Sequence, residues 1–303
     1  MKKTYITVDI ETIVSGISKN TNYLAGVYLG AMFIAHELKK RHLKATFFIS
    51  LSSKQESIDN SEYLDLIRCL VLSLKSFENI KIASHLHAYK LPMNFDCPSD
   101  DFGAYNKEQQ ISMLLFSKKF FKDLGCDVDA FRPGGFRRNE FYYPALNDAG
   151  FKYSSILSKE GKPNINLITG ELNKSSKIEL HDGVLEYPVT SVELLSIKKK
   201  VEILNLSPDF LSIDSVKSHL ESLDYLNINF HSFSIYLNRL VRENHTGIIW
   251  NNIRFLAIEK LLDFIANVLG MNTFNTNTIV KSSFIKWLDY LDENEYKTFF
   301  IGE

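Results

Sequence analysis

The strongest constraint on this fold is a regular alternation of short apolar strands and amphipathic helices in the first half of the chain. Strand patterns are predicted at residues 4–10, 44–50, 79–84 and 129–135. Helical patterns lie between and after them, at residues 22–41, 61–77, 107–125 and 140–150. Because the connections are short, this alternation predicts a parallel sheet that is either doubly wound or closed into a barrel.

The second half of the chain is less regular. Residues 158–200 are predicted to form an irregular insertion with a hairpin in KIELHDGVLEYPVT. A late strand is predicted at 225–234 and a long amphipathic helix at 252–270, and SSFIKWLDYL is helical by its period. We find no internal repeat, linker or low-complexity tract, so residues 1–303 are predicted to form a single domain.

Composition narrows the functional class. Hydrophobic residues make up 45% of the chain and charged residues 23%, as in ordinary globular proteins. The net charge of -1 gives no indication of a nucleic-acid partner. Cys69, Cys97 and Cys126 are widely spaced, which fits a reducing compartment. Asp9 and Glu11 interrupt any apolar signal sequence, and no apolar run is long enough to span a bilayer, so we expect a cytoplasmic protein.

Ionisable side chains lie where four of the predicted strands end. They are Asp9 and Glu11 in the first strand, His85 and His87 after the third, Arg132 in the fourth and His231 in the late strand. In parallel α/β folds the active site forms at the carboxyl ends of the strands. Each side chain could be structural by itself, but their joint placement at one edge predicts an active site.

His85 and His87 form an HxH pair after an apolar run. Side chains two apart in an extended strand point to the same side, so the two imidazoles could chelate a metal ion. Together with a carboxylate they would make a catalytic zinc site that keeps one position open for water. The alternative is two half-buried polar histidines at a strand–loop junction, because HxH pairs also occur without metal.

The motifs around these residues resemble those of the NodB-type polysaccharide deacetylases, carbohydrate esterase family 4. ITVDIET resembles the first motif in its Asp-x-acid form, and LKATFFIS is similar to the second strand. ASHLHAY occupies the histidine motif, FRPGGF resembles the arginine motif, and INFHSFS the final histidine motif. The resemblance covers residues 4–235 and implies a distorted (β/α) barrel of about seven parallel strands. It also implies metal-dependent hydrolysis of an N-acetyl group from an amino sugar.

The resemblance implies a role for each catalytic residue. Asp9 becomes the catalytic base, Arg132 tunes that base, and His231 becomes the catalytic acid. The family commonly carries an aspartate after the arginine motif that supports this histidine. Here the segment offers Ser154 and Ser155 instead. Without the aspartate, and with a non-standard spacing of its histidines, a carbohydrate-binding relative that has lost catalysis is an alternative to the enzyme.

The same resemblance implies a divalent metal ion, with zinc expected, held by Glu11, His85 and a third ligand. The family usually spaces its two histidines four residues apart, but the corresponding position here is Tyr89. The nearest candidate for the third ligand is therefore His87. Glu11 stands where an aspartate is usual and is one methylene longer, which could compensate for a shifted ion.

The expected substrate is a small molecule or glycan that contains an amino sugar. For a cytoplasmic enzyme we expect a nucleotide- or lipid-linked intermediate of surface polysaccharide synthesis. Arg137 and Arg138 could contact its phosphate or carboxylate, with Tyr89 as a further substrate-binding candidate. The alternative is that both arginines are solvated surface residues. The chemistry would also suit another amide, such as a formamide or cyclic imide, and the sequence predicts no oligomeric state.

Overall fold

The structure is a computed structural model. It describes residues 2–12, 25–53, 59–88, 91–93, 95, 99–156, 163–174, 177–195, 201–209, 211–236 and 279–303. The helix predicted at 252–270 lies outside the described residues.

Among the described residues, the main sheet contains nine strands. They are β1 Lys3–Ile10, β2 Ala45–Ser50, β3 Ile80–Leu86, β4 Ala130–Pro133, β5 Tyr153–Ser154, β7 Glu179–His181, β8 Val184–Glu186, β11 Tyr225–His231 and β12 Thr298–Phe299. The strand order is β11-β1-β2-β3-β4-β5-β8-β7, and β12 pairs with β1. Every pairing along this path is parallel except that of β7 with β8. The curled sheet therefore confirms the predicted distorted barrel of parallel strands.

The predicted hairpin is present and belongs to the main sheet. Its turn residues Asp182 and Gly183 both have positive φ, 46° and 85°, as the tight turn of a two-residue hairpin requires. β7 lies at the end of the strand order, while β8 pairs in parallel with β5. Three further strands form a second, smaller sheet: β6 Ile165–Asn166, β9 Ser191–Leu195 and β10 Val201–Asn205.

Single backbone hydrogen bonds link the segment after β8 to β11. The Thr190 amide donates to the carbonyl of Asn227 at 3.0 Å, and the Leu206 amide donates to the carbonyl of Thr190 at 2.7 Å. The Asn229 amide then donates to the carbonyl of Leu206 at 3.1 Å. These bonds satisfy backbone groups that would otherwise be buried without partners.

Six α-helices are described. They are α1 Gly30–Lys40, α2 Asn60–Leu74, α3 Lys107–Asp123, α4 Tyr142–Asp148, α5 Lys217–Leu220 and α6 Ile279–Glu293. Asn106 is the N-cap of α3 and forms a capping box with Gln109, and the helix ends before Gly125, which has a φ of 71°. None of the described helices is both long and apolar enough to cross a bilayer.

β1 is buried on both faces after its first residue, and the two faces differ. In β1 the even-numbered Ile6 and Val8 belong to the large apolar core that also contains the helices. The odd-numbered positions face the barrel interior, which is aromatic at Tyr5 and polar at Thr7 and Asp9. Because side chains alternate along a strand, Asp9 at the end of β1 faces the barrel interior, on the same side as Tyr5 and Thr7.

Glu186 is a buried carboxyl beside α4. Its Oε1 accepts a hydrogen bond from the Ile156 amide at 2.7 Å, and its Oε2 accepts one from the Tyr143 hydroxyl at 3.3 Å. Burial raises the pKa of Glu186 to about 7, although hydrogen bonds and Arg138 favour the ionised form. The folded protein therefore holds a proton that the unfolded chain releases at lower pH.

We expect Glu186→Gln to flatten the dependence of stability on pH. A raised pKa in the folded state means that wild-type stability falls as pH rises from 4.5 towards about 7. The free energy of unfolding, measured by urea denaturation, should fall less in the variant across this range, by on the order of 3 kcal/mol. Glu179→Gln, at a solvent-exposed position in β7, is the matched control. A wild-type pH profile in Glu186→Gln would contradict this assignment.

Candidate active site

A cavity of about 420 Å³ opens at the carboxyl ends of the parallel strands. It is lined by Asp9, Glu11, His85, His87, Asp100, Asp101, Pro133, Gly134, Gly135, Phe136, Arg137 and His231. Strand register explains why residues that are far apart in sequence meet here. Asp9 in β1 lies opposite His231 in β11, and His85 in β3 lies opposite Arg132 in β4.

Glu11, His85 and His87 form a compact, buried group of donors. The Oε2 atom of Glu11 is 3.1 Å from Nε2 of His85 and 2.6 Å from Nε2 of His87. One donor atom from each of the three residues lies within 4.8 Å of the others. One carboxylate and two imidazoles form the protein ligand set of a catalytic zinc site.

The hydrogen-bond partner of each Nδ1 atom determines which imidazole nitrogen is available to a metal ion. Nδ1 of His85 is 2.9 Å from the carbonyl oxygen of Arg132, which can only accept, so Nδ1 carries the proton. Nδ1 of His87 is 3.0 Å from both carboxylate oxygens of Asp100. In the neutral rings the Nε2 lone pairs then point at Glu11, an arrangement that a cation would stabilise. Hydrogen bonds that hold ligating histidines in this way are typical of metal centres, so the donor set fits a divalent ion.

Asp9 is held beside the donors as a buried carboxylate. Its Oδ1 accepts a hydrogen bond from Nη1 of Arg132 at 2.6 Å, and its Oδ2 accepts one from Nδ2 of Asn229 at 3.2 Å. Burial by itself would raise the pKa of Asp9, but Arg132, His85 and His231 together outweigh it and the pKa is lowered. Asp9 is therefore ionised at neutral pH and able to accept a proton.

Arg132 is completely buried, and each nitrogen of its guanidinium donates hydrogen bonds. Its Nε donates to the carbonyl of Ser155 at 2.8 Å, and its Nη2 donates to the Ser155 and Thr7 hydroxyls at 2.7 and 2.9 Å. The guanidinium also lies 4.1 Å from the centre of the Phe48 ring. Ser155 therefore positions the arginine, whereas the hydroxyl of Ser154 pairs with that of Tyr142 at 2.7 Å.

The segment after the arginine motif supplies no aspartate to His231, as the sequence indicated, but another part of the chain does. Asp209, fully buried, accepts a hydrogen bond from Nδ1 of His231 at 2.6 Å and another from its backbone amide at 3.2 Å. The resemblance placed the supporting aspartate after the arginine motif, but Asp209 comes from the segment that precedes β11. The signal was an acidic residue in the mainly apolar run LSPDFL, 22 positions before His231.

His231 faces the two carboxylates across the cavity. Its Nε2 lies 3.8 Å from Oδ2 of Asp9 and 3.9 Å from Oε1 of Glu11. Burial by itself would lower the pKa of His231, but the neighbouring Asp209 carboxylate raises it, with smaller contributions from Asp9 and Glu11. The imidazole therefore keeps its proton to higher pH than an ordinary histidine, as a proton donor requires.

The predicted substrate-binding residues have different placements. Arg137 lines the cavity, and its Nη1 is 3.3 Å from the Asp101 carboxylate in an exposed ion pair. Arg138 contacts the hydroxyl of Tyr143 and does not line the cavity. Tyr89 lies outside the described residues. Asp100, which sequence reasoning missed, comes from an acidic pair in a connecting segment and is bonded to His87.

Solved structures show which fold this is. The chain is similar to a protein from Mycobacterium smegmatis assigned as a polysaccharide deacetylase, at 14% identity and a TM-score of 0.50, over 95% of this chain and 90% of that one. The polysaccharide deacetylase fold is confirmed. At this identity the likeness shows the fold alone. No family model and no curated protein matches the chain.

Two further solved structures are similar at lower TM-scores. A family 4 carbohydrate esterase from Streptomyces lividans, in complex with acetate, is 13% identical, with a TM-score of 0.41 over 89% of this chain and 90% of that chain. PuuE allantoinase is 14% identical, with a TM-score of 0.48 over 93% and 89% of the two chains.

We expect Asp209→Asn to lower the pKa of His231. The substitution removes the charge that opposes burial but leaves an oxygen able to accept the Nδ1–H hydrogen bond. The measurement is an NMR titration of the His231 ring, with the metal content matched in all samples. Asp214→Asn, at an exposed position paired with Lys217, is the control and should leave the titration unchanged. A His231 pKa that does not move in Asp209→Asn would mean that this carboxylate does not hold the proton in place.

Proposed function

We propose that the protein is a metal-dependent hydrolase that removes an N-acetyl group from an amino sugar. The observation that carries the proposal is the meeting, in one cavity, of three metal-type donors, a carboxylate with a lowered pKa and an imidazole with a raised pKa. The proposal takes residues 1–303 as one catalytic domain, with an irregular insertion around 158–200.

The three donors would hold a divalent ion, with zinc preferred for a carboxylate and two imidazoles. Such an ion, when bound, polarises an amide carbonyl and lowers the pKa of a water molecule. Glu11, His85 and His87 would supply the ligands, and the Arg132 carbonyl and Asp100 would fix the two imidazole rings.

Asp9 and His231 divide the proton transfers between them. Asp9 would take the proton from the attacking water at Oδ2, while Arg132 and Asn229 hold the carboxylate in place. His231 would donate a proton from Nε2 to the departing amine, while Asp209 holds Nδ1. The lowered pKa of the base and the raised pKa of the acid keep both groups in their active forms around neutral pH.

The wider substrate proposal rests on the rim of the cavity. Arg137 is exposed, and its ion pair with Asp101 is of a kind that contributes little to stability, so a substrate anion could replace the carboxylate. This supports a nucleotide- or lipid-linked amino sugar used in surface polysaccharide synthesis. A cytoplasmic site of action belongs to the same proposal, since three widely spaced cysteines fit a reducing compartment.

The proposal favours an enzyme over an inactive carbohydrate-binding relative. The inactive alternative was motivated by the non-standard histidine spacing and the missing aspartate. Asp209 supplies that carboxylate, and Nε2 of His87 lies 2.6 Å from Glu11 in spite of the shorter spacing. The same groups could also hydrolyse a formamide or a cyclic imide, because the chemistry requires only a carbonyl at the centre. Substrate comparison separates these possibilities.

We expect Asp9→Asn and Glu11→Gln to fail in different ways. Asp9→Asn should lower the stability of the fold, because it removes the counter-charge of buried Arg132. The folded variant should keep most of the bound zinc but lose a factor on the order of 10² to 10⁴ in turnover, because the amide cannot accept the proton. Glu11→Gln should lose zinc affinity first and recover part of its turnover in excess zinc. The measurements are zinc titration and single-turnover release of the acyl group.

Two outcomes would count against these roles. Near-normal turnover in zinc-loaded Asp9→Asn would show that Asp9 is not the base. Unchanged zinc affinity in Glu11→Gln would remove Glu11 from the ligand set. Asp214→Asn is the control, since Asp214 is exposed, pairs with Lys217 and does not line the cavity.

We expect the zinc-loaded protein to release acetate from a nucleotide-linked N-acetylamino sugar. The panel should include the free N-acetylamino sugar, a formamide and a cyclic imide, with acid release followed for each. Hydrolysis of only the formamide or the cyclic imide would show that the proposed substrate is wrong. Glycan binding without hydrolysis of any compound would favour the inactive relative.

A further inference from the structure

The imidazole of His87 lies in a narrow space between the end of β3 and the turn that follows β4. The side chain is buried, and its ring centre is 4.8 Å from that of His85 in an edge-to-face arrangement. Across the ring from the cavity donors lies Gly134, the first glycine of RPGG.

Gly134 has no side chain to occupy the space that the ring fills. A Cβ atom built on Gly134 would lie 2.4 Å from Nδ1 of His87, 2.5 Å from Cε1 and 2.9 Å from Cγ. These are its three nearest neighbours, and all of them belong to the imidazole. Separations this short are well inside van der Waals contact, so the ring and an alanine side chain cannot both stay in place.

Backbone conformation does not explain the glycine at this position. The neighbouring Gly135 has a φ of 60°, which favours glycine for conformational reasons, whereas Gly134 does not have a positive φ. A Cβ on Gly135 would meet nothing closer than Arg137 side-chain atoms at 3.8 Å. The two adjacent glycines therefore meet different requirements, and the one at Gly134 is steric.

We propose that Gly134 is a positioning residue that allows His87 to act as the third metal ligand. The inference rests on the proposed metal centre and deepens it. With the histidines only two positions apart, the His87 ring reaches Glu11 by lying directly against the backbone of the turn after β4. A side chain at Gly134 would displace the ring and break the HxH chelate.

The ring has little room to retreat. Nε2 is 2.6 Å from Glu11, and Nδ1 is 3.0 Å from Asp100, so a shift away from Gly134 disturbs one of these contacts. His85 blocks movement on another side. The displacement caused by an added methyl group is therefore transmitted to the ligand nitrogen.

The test is a double-mutant cycle of Gly134→Ala and His87→Ala, read as zinc affinity by chelator competition and as Tm of the metal-free protein. Gly134→Ala should weaken zinc binding about 10- to 100-fold, the usual effect of disturbing a ligand's support. It should also lower Tm by about 2 to 12 °C, as overpacking does. Both effects should largely disappear in the His87→Ala background, since alanine lacks all three clashing atoms. Gly135→Ala is the control: its positive φ should lower Tm through backbone strain equally with and without His87→Ala, but it should keep wild-type zinc affinity.

The outcomes distinguish this inference from the proposed function. If His87→Ala binds zinc like the wild type, His87 is not a ligand and both proposals fail on that point. If His87→Ala weakens binding but Gly134→Ala does not, the ligand set stands and the role of Gly134 is overturned. An undiminished effect of Gly134→Ala in the His87→Ala background would also overturn it. Should Gly134→Ala fail to fold, recovery of folding in the double variant supports the steric coupling, and continued failure contradicts it.

Discussion

The ion pair and hydrogen bonds of the buried Arg132 guanidinium are the interactions on which the candidate active site depends. A charge without exposure to water is strongly unfavourable unless it is paired and hydrogen-bonded. Arg132 meets this requirement with partners from several strands, through Thr7 and Asp9 in β1, Asn229 in β11 and Ser155 after β5. Its backbone carbonyl also orients His85. One residue therefore joins the base, a predicted metal ligand and the barrel wall.

This arrangement couples the stability of the barrel to the chemistry proposed for it. Asp9 keeps a lowered pKa because the arginine is buried with it, and the arginine is tolerated because Asp9 is ionised. His231 shows the opposite balance, since Asp209 keeps its proton in place despite burial. The cavity thus holds a base and an acid whose pKa values are moved in opposite directions by fixed neighbours.

Much of the fold was predictable because local patterns carry it. Alternating strands and helices indicated the parallel sheet, and strand ends indicated where Asp9, His85, Arg132 and His231 would meet, as the register confirms. The link between the segment after β8 and β11 was not predictable, because it uses single backbone hydrogen bonds of irregular segments around Thr190. Such segments have no periodicity in the sequence.

The supporting residues were harder to predict than the principal ones. Asp209 and Asp100 reach their histidines from connecting segments, and nothing in their local sequence identifies the partner. Gly134 was part of a recognised motif, but its steric role depends on the path of the His87 ring. A motif indicates which residues act, whereas three-dimensional packing determines which neighbours orient them.

Anomalous scattering at the zinc absorption edge, from crystals of the zinc-loaded protein, tests the central claim most directly. We predict one strong peak bonded to Glu11, His85 and His87 at about 2.0–2.2 Å. A zinc ion bound through other residues, with these three side chains still paired to one another, would contradict the metal centre and the mechanism proposed from it.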